Sequence, residues 1–199
     1  MDTADAAGPL HGAAIVLAGG RGERLGGADK PALRIGDRSM LDIALAAVAG
    51  PPVVVVGPDR ETPAGVAVVR EEPAGGGPAA AIAAGLAALP RLPADARIVV
   101  LAADLPAIDA GTVHLLCSRV TAGGAVLVDG SGRRQWLVGA WRRQVLTEAV
   151  HRRSDWHGRS VRELLGPIDP VEVSGSEAAA ADVDTIEDWE RWQSDGYHL

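Results

Sequence analysis

The sequence predicts one α/β domain built on a mostly parallel β-sheet, and three observations indicate this fold class. Its 199 residues suit a single ordinary domain, with residues 1–12 as an expected disordered lead-in and residues 13–199 as the domain. Short continuous apolar runs, typical of buried parallel strands, punctuate the chain. Helical patterns alternate with these runs, which favours right-handed β-α-β units.

The predicted elements follow one another in a regular order. Strands are expected at residues 13–17, 53–56, 66–69 and 97–101, and helices at residues 39–48, 78–89 and 109–120. Ser39 is a suitable cap for the first of these helices, and Pro78 suits the first turn of the second. After Gly123 the pattern changes, and two strand-like segments, residues 125–128 and 136–140, flank a basic turn. The remaining expected elements are helices at residues 142–152 and 160–165, a strand at 171–173 and a last helix at 185–193.

Composition and charge exclude several functional classes. The formal net charge of −7 disfavours a nucleic-acid partner, whose phosphates would be repelled. The single cysteine, Cys117, excludes an internal disulfide framework and a cysteine-based zinc cluster. The N-terminus lacks the basic segment of a secretory signal, and the longest apolar run, residues 79–89, is too short to span a bilayer. We therefore expect a cytoplasmic protein that binds neither nucleic acid nor membrane.

A glycine-rich loop follows the first predicted strand. Its glycines are Gly19, Gly20, Gly22, Gly26 and Gly27. Glycine lets backbone N–H groups approach an anion closely, and Arg21, Arg24 and Lys30 add positive charge to the same loop. The loop could therefore hold the phosphates of an NTP and offset charge as pyrophosphate leaves. A Walker loop is excluded because Pro31 follows the lysine, and a dinucleotide fingerprint is excluded because Leu25 stands at its third glycine.

The loop resembles the LAGGxxxRxGxxK signature of nucleotidyltransferases that activate sugars and cofactors. Within that group it is most similar to the MobA-like family, the molybdenum cofactor guanylyltransferases. The resemblance implies that the backbone of Leu17, Ala18, Gly19 and Gly20 faces the base and ribose. Arg21 and Gly22, in the same loop, are also predicted to bind the nucleotide. It implies that Arg24 and Lys30 bind the triphosphate. The implied fold is a Rossmann-like three-layer sandwich of the nucleotide-diphospho-sugar transferase type.

A second segment, residues 70–82, resembles the family's acid-then-Gly-Pro motif for base recognition. A carboxylate could accept hydrogen bonds from the N1–H and N2–H₂ groups of guanine, so Glu71 is the predicted base-recognition residue. Gly77 and Pro78 are predicted to line the same nucleotide site. The family usually has aspartate where Glu71 stands, and a plain turn before a helix is the alternative role for this residue.

Asp104 follows the predicted strand 97–101, at the strand end where open α/β sheets bind ligands. It matches the family's Asp-x-Pro acid, which implies that it binds Mg²⁺. Magnesium prefers one or two carboxylates together with phosphate oxygens and waters. A role in capping the helix near Asp109 is the alternative.

Two further acids, Asp182 and Asp184, lie in a segment similar to the family's Asn/Asp-x-Asn/Asp-Thr-Pro-Glu-Asp motif. They are the second source of predicted metal ligands, close in space to Asp104. We expect an extended backbone to point these two side chains to opposite sides, so that only one reaches the metal, with Asp182 slightly favoured. Asp184 or Thr185 could instead cap the last helix.

Three arginine pairs fall in the half of the chain that binds the acceptor in related enzymes. Any of them could hold the acceptor's phosphate, although solvated helix faces are the commoner role for such residues. The pairs are Arg133-Arg134, Arg142-Arg143 and Arg152-Arg153.

The combined prediction is a Mg²⁺-dependent enzyme with Arg24, Lys30 and Asp104 as its catalytic residues. It would transfer NMP, with GMP from GTP as the first choice, to a phosphorylated small acceptor and release pyrophosphate. The resemblance implies molybdopterin or the molybdenum cofactor as acceptor, and molybdoenzyme maturation proteins as further partners. The open alternatives are a cytidylyltransferase for the same cofactor, a sugar-phosphate nucleotidyltransferase and a non-catalytic nucleotide-binding regulator.

Overall fold

Helices cover both faces of a seven-stranded sheet in the computed structural model, which describes residues 12–20 and 29–194. The strands are β1 (Ala13–Leu17), β2 (Arg34–Ile35), β3 (Arg38–Ser39), β4 (Val53–Val56), β5 (Val66–Val69), β6 (Arg97–Ala102), β7 (Gly124–Val128), β8 (Arg134–Arg142) and β9 (Val171–Ser174). The helices are α1 (Met40–Ala47), α2 (Pro78–Ala88), α3 (Ala110–Arg119), α4 (Arg143–His151), α5 (Val161–Leu165), α6 (Glu177–Ala180) and α7 (Ile186–Ser194). All but one residue of the expected N-terminal lead-in lies outside the described part of the chain.

The main sheet is mostly parallel, with the strand order β5-β4-β1-β6-β8-β7-β9. Strands β5, β4, β1 and β6 run parallel to one another, whereas β8 is antiparallel to both of its neighbours. The last residue of β1, Leu17, is paired with Val56 of β4 and Ala102 of β6. The carboxyl ends of these three strands therefore meet at one edge of the sheet, which we call the carboxyl edge.

Two apolar cores lie on opposite faces of this sheet because successive strand side chains alternate in direction. In β1, Ala14 and Val16 pack with α1 and α3, while Ile15 packs with α2 on the other face. All five residues of β1 are buried, as expected for a central parallel strand. The α/β fold class with a mostly parallel sheet is thus confirmed, with helices on both sides.

The predicted strands and helices are confirmed with differences of one or two residues at their ends. Strands β1, β4 and β5 have the predicted limits. The hairpin of β2 and β3 and the short helix α6 were not predicted. Two-residue strands and a four-residue helix carry too little periodicity to be recognised, and only Gly36, at φ +60°, marks the hairpin turn.

The contact between α2 and the sheet depends on Gly85. A Cβ at this position would lie 2.5 Å from Cγ2 of Ile15 and 3.0 Å from Cγ2 of Val56, both of which are buried. We expect Gly85→Ala to lower the free energy of unfolding by about 1–3 kcal/mol, because overpacking outweighs the better helix propensity of alanine. Denaturant unfolding followed by circular dichroism measures the change.

Gly111 in α3 is the matched control. A Cβ there would be 3.5 Å from its nearest neighbour, Oδ1 of Asp109, which is an ordinary contact. Gly111→Ala should therefore be neutral or stabilise the fold by up to about 1 kcal/mol. Equal effects of the two substitutions would contradict the close packing of α2 on the sheet.

Candidate active site

Lys30 lies between two carboxylates at the carboxyl edge of the sheet. It begins a 3₁₀ turn, Lys30–Ala32, and its Nζ donates a hydrogen bond to Oδ1 of Asp184 at 2.6 Å. The same Nζ is 3.7 Å from Oδ2 of Asp104. The predicted proximity of Asp104 to a late aspartate is therefore confirmed. We call Lys30, Asp104, Asp182 and Asp184 the Lys30 cluster.

Backbone hydrogen bonds hold the acidic segments of this cluster in place. The N–H of Ala103 donates to the carbonyl of Leu17 at 2.9 Å, which keeps the chain after β6 beside the end of β1. The N–H of Val183 donates to the carbonyl of Asp104 at 3.1 Å. Residues that are distant in sequence are thus joined directly at the carboxyl edge.

Asp182 and Asp184 line the same cavity. The expectation that they point to opposite sides is therefore wrong. In an extended backbone, residues i and i+2 share a face, and it is the residue between them, the fully buried Val183, that points into the core. Of the two candidates for capping the last helix, Thr185 has this role, because its Oγ1 accepts a hydrogen bond from the N–H of Asp188 at 3.1 Å.

Burial and charge shift the acidity of these groups in a consistent direction. Burial raises the pKa of Asp104; Lys30 partly opposes this shift, and Asp182 adds to it. Burial also raises the pKa of Asp182, and the neighbouring carboxylate of Asp184 raises it further. The carboxylates therefore repel one another and favour a cation in their midst.

The donor chemistry of the cluster fits a divalent cation. The Lys30 ammonium already occupies the space between Asp104 and Asp184, which shows that this pair accepts positive charge. Within residues 12–20 and 29–194, no group of three or more His, Cys, Asp or Glu side chains is arranged to hold a metal ion. A cation such as Mg²⁺ prefers one or two carboxylates, so the remaining ligands would come from substrate phosphates and water.

A first cavity of about 460 Å³ opens beside the ends of β1 and β4. We call it the nucleoside cavity, and its lining includes Leu17, Gly19, Gly20, Glu71, Gly77 and Pro78. Two segments predicted separately to contact the nucleotide are thus brought together. Arg21, Gly22 and Arg24 lie outside the described residues, so their predicted roles stay predictions. Ala18 is buried at the base of the loop and does not line this cavity.

The predicted base-recognition segment folds as a turn followed by α2. Oε1 of Glu71 accepts a hydrogen bond from the N–H of Gly75 at 2.9 Å. Gly77 caps α2 with φ +84°, a conformation that favours glycine. Glu71 therefore has the turn role that was its alternative, and it also faces the nucleoside cavity.

A second cavity of about 510 Å³ lies on the other side of the Lys30 cluster. We call it the acidic cavity, and its polar lining comprises Asp129, Ser131, Arg133, Gln135, Asp182 and Asp184. The turn between β7 and β8 is organised by Asp129, whose Oδ1 accepts hydrogen bonds from the N–H groups of Ser131 and Arg133, each at 2.9 Å. Hydrogen bonding, above all from the Ser131 hydroxyl, lowers the pKa of Asp129 to about 2. This carboxylate is therefore charged throughout the neutral range.

The three arginine pairs occupy different places. Arg133 lines the acidic cavity, whereas Arg134 makes an ion pair of 2.7 Å with Glu172. Arg142 is at the opposite end of β8, where it donates to the carbonyl of Thr121 at 2.8 Å. Only the first pair therefore contributes a residue to either cavity.

The last pair, Arg152-Arg153, lies just after α4, and Arg153 is stacked over the ring of Trp156 at 5.8 Å. Neither arginine lines the nucleoside cavity or the acidic cavity. Both arginines are exposed, as expected for the solvated role that the sequence analysis gave as the commoner one.

Comparison with known protein families identifies the family of this chain. The family model described as "MobA-like NTP transferase domain" matches residues 14–171. The chain belongs to this family. It is therefore a nucleotidyltransferase, and the resemblance to the MobA-like family that the glycine-rich loop indicated is confirmed. A molybdenum cofactor guanylyltransferase of Mesorhizobium japonicum is 31% identical over 171 residues, which cover 81% of this chain and 81% of that relative.

Solved structures support the MobA-like fold. Molybdopterin-guanine dinucleotide biosynthesis protein A from Archaeoglobus fulgidus has a TM-score of 0.66 at 17% identity, covering 91% of this chain and 96% of that one. A 2-C-methyl-D-erythritol 4-phosphate cytidylyltransferase from Francisella tularensis has a TM-score of 0.68 at 15% identity, covering 91% and 98%. At such identities these likenesses establish the fold alone. No described helix of the MobA-like chain is long and apolar enough to cross a membrane.

Several residues of the MobA-like site escaped sequence reasoning. Asp129, Ser131 and Gln135 line the acidic cavity but belong to no motif that the sequence analysis used. The Asp-Gly-Ser-Gly run at residues 129–132 is a turn signal, and it could have drawn attention to this position. Its place beside Asp182 follows from the strand order, since β7 runs in the same direction as β6 and ends at the same edge of the sheet. Sequence patterns do not show this order.

Asp104→Asn removes a charge that burial disfavours. Because the folded-state pKa of Asp104 lies above its ordinary value of 3.8, ionised Asp104 lowers stability at neutral pH. We expect the variant to be at least as stable as the wild type at pH 7. This difference should disappear as the pH falls through the raised pKa to below 3.8, where the carboxyl is protonated in both folded and unfolded states.

Urea unfolding across this pH range tests the expectation. Asp37→Asn, at an exposed position in the turn between β2 and β3, is the control and should leave the free energy of unfolding nearly unchanged. A clear loss of stability in Asp104→Asn at pH 7 would show that the attraction of Lys30 outweighs the cost of burial.

Proposed function

We propose that this MobA-like enzyme transfers GMP from GTP to the phosphate of a molybdopterin-like acceptor and releases pyrophosphate. The observation that carries the proposal is the position of the Lys30 cluster between two cavities. The nucleoside cavity lies at the ends of β4 and β1, the cluster at the end of β6, and the acidic cavity at the turn of β7 and β8. A donor and an acceptor bound in these cavities would meet at the cluster.

Two observations support guanine as the base of the donor nucleotide. Glu71 faces the nucleoside cavity, where a carboxylate matches the N1–H and N2–H₂ donors of guanine. The relative from Mesorhizobium japonicum is a guanylyltransferase of the molybdenum cofactor. The same relative supports molybdopterin as the acceptor.

The chemistry follows from the charges at the meeting point. An acceptor phosphate monoester is already anionic near neutral pH, so the step requires no general base. Catalysis then rests on placing the acceptor oxygen in line with the α-phosphorus and on neutralising the leaving pyrophosphate. We assign this neutralisation to Lys30 and, from the family signature, to Arg24.

Asp104 and Asp184 are the residues that would hold Mg²⁺, with Asp182 beside them on the same face. When bound, the ion supplies charge neutralisation at phosphate oxygens. The Lys30 ammonium, which contacts Asp104 and Asp184, would then be available to the triphosphate, because these carboxylates would no longer need it as their counter-charge. The protein's own contribution is to keep these groups ordered at the carboxyl edge before substrates arrive.

A pyrophosphate-release assay tests the proposal. The wild-type enzyme is assayed with each of the four NTPs, with and without molybdopterin and Mg²⁺. We expect release that depends on molybdopterin, with kcat/KM for GTP at least about tenfold above that for the other NTPs, as one lost hydrogen-bond pair requires. A preference for CTP would show that the enzyme recognises cytosine and not guanine. Binding of GTP without release of pyrophosphate under any condition would indicate a regulator.

Lys30→Ala is the negative control for this assay. One preorganised cation at a charged transition state typically contributes a factor of roughly a hundred or more in turnover, so that loss is expected. Circular dichroism should show a retained fold, because Lys30 lies in a short 3₁₀ turn and belongs to neither apolar core. Full activity of this variant would contradict the triphosphate role of Lys30.

The acceptor's phosphate is expected to use Arg133, the one member of the three arginine pairs that lines the acidic cavity. Arg133→Ala should raise KM for molybdopterin by roughly tenfold, since a charge-assisted hydrogen bond contributes about 1.5–3 kcal/mol, while KM for GTP stays unchanged. Steady-state kinetics with each substrate varied in turn separates the two effects.

Arg142→Ala is the matched control because Arg142 is the last residue of β8, whereas Arg133 immediately precedes the first. It should change neither KM. An equal rise in the acceptor KM for both variants would show that Arg133 acts through net charge and not through a contact in the acidic cavity.

A further inference from the structure

Arg60 connects two points that are adjacent in space but separated by the glycine-rich loop. Its Nη2 donates a hydrogen bond of 2.9 Å to the carbonyl of Ala18. The guanidinium also contacts the carboxylate of Asp29, with Nη2 3.3 Å from Oδ1 and Nη1 3.4 Å from Oδ2. The Arg60 side chain is only 10% exposed, and its bond to the Ala18 carbonyl is partly buried. The Asp29 carboxylate is 56% exposed, so the ion pair is open to solvent on that side.

Both partners of Arg60 lie at the ends of the glycine-rich loop. Ala18 follows the last residue of β1, and Asp29 immediately precedes Lys30. Asp29 is also the N-cap of the 3₁₀ turn, yet its side chain makes no capping hydrogen bond. Its carboxylate is instead used in the pair with Arg60.

The segment that carries Arg60 is packed tightly against β1. A Cβ at Gly57 would lie 2.6 Å from the carbonyl oxygen of Ala18, so only glycine allows this approach. The N–H of Gly57 donates to the carbonyl of Val69 at 2.9 Å, which fixes the segment to β5. Arg60 is therefore presented from a well-anchored stretch of chain.

We propose that Arg60 is a positioning residue that holds both ends of the glycine-rich loop and thereby sets Lys30 in register with the triphosphate. This inference rests on the proposed function. Arg60 acts through Ala18 and Asp29, and its role is to reduce the conformational freedom that the NTP would otherwise have to restrict on binding.

The guanidinium group suits this task better than an ammonium group would. Its planar fork presents several N–H donors in fixed directions, so one side chain can bind a carboxylate and a carbonyl together. A lysine at position 60 offers a single nitrogen and would satisfy the two partners less well. Arg60→Lys should accordingly give partial function.

The experiment measures GTP binding by calorimetry and steady-state kinetics for the full-length protein with Arg60→Ala and Arg60→Lys. We expect Arg60→Ala to raise Kd and KM for GTP by roughly tenfold, the scale of one lost charge-assisted hydrogen bond, with kcat at saturating GTP within about twofold of the wild type. Arg60→Lys should give Kd and KM values for GTP between those of the wild type and those of Arg60→Ala. Arg142→Ala removes a similar bond from arginine to a carbonyl at the opposite sheet edge and should not change GTP binding.

A double-mutant cycle with Asp29→Asn isolates the ion pair. Because Arg60 acts partly through Asp29, the double variant should bind GTP no more weakly than Arg60→Ala alone. Additive losses would show that the two residues act separately and would overturn the inference. An Arg60→Ala variant that binds GTP with wild-type affinity would also overturn the inference.

A purely structural role predicts a different pattern. Arg60→Ala would then show a lowered melting temperature with unchanged KM for GTP once the folded fraction is counted, and the inference would be wrong. Absence of GTP binding by the wild-type protein would overturn the proposed function together with the inference. Normal wild-type transfer with an unaffected Arg60→Ala variant would overturn the inference alone.

Discussion

The contact of the Lys30 ammonium with Asp104 and Asp184 joins three parts of the chain that are far apart in sequence. Two carboxylates this close repel each other, and the position of the ammonium group between them makes their proximity tolerable. The bond from Val183 N–H to the Asp104 carbonyl holds the C-terminal segment at the same place. The site can therefore form only when the whole sheet is assembled.

Sheet topology determines what lies on each side of this contact. Strands β4 and β1 end in the loops that line the nucleoside cavity, because parallel strands bring their carboxyl ends to one edge. Strand β7 runs in the same direction as β6, because both are antiparallel to β8, so the turn that begins at Asp129 also lies at the carboxyl edge. The ends of β1 and β4 and the turn after β7 thus line separate cavities at the same edge of the sheet.

Charge distribution adds a constraint on how the two cavities can be used. The acidic cavity contains the carboxylates of Asp129, Asp182 and Asp184 with Arg133 as the cation in its lining. An anionic acceptor would be repelled from such a surface unless a cation neutralised it. Divalent metal binding and acceptor binding are therefore electrostatically coupled in the proposed reaction, and the overall negative charge of the protein strengthens this requirement.

Local patterns were sufficient for most of the fold and for the chemical type of the site. Buried runs such as residues 53–56 and the Ser39 cap depend on near neighbours, so the sequence alone determined most of the strands and helices. It also indicated the loop ending in Lys30 as the candidate phosphate-binding motif. It did not determine that Asp182 and Asp184 share a face, that Arg60 contacts Asp29, or that the turn after β7 completes the acidic cavity. These features depend on strand order and on contacts between distant segments, which only the tertiary structure decides.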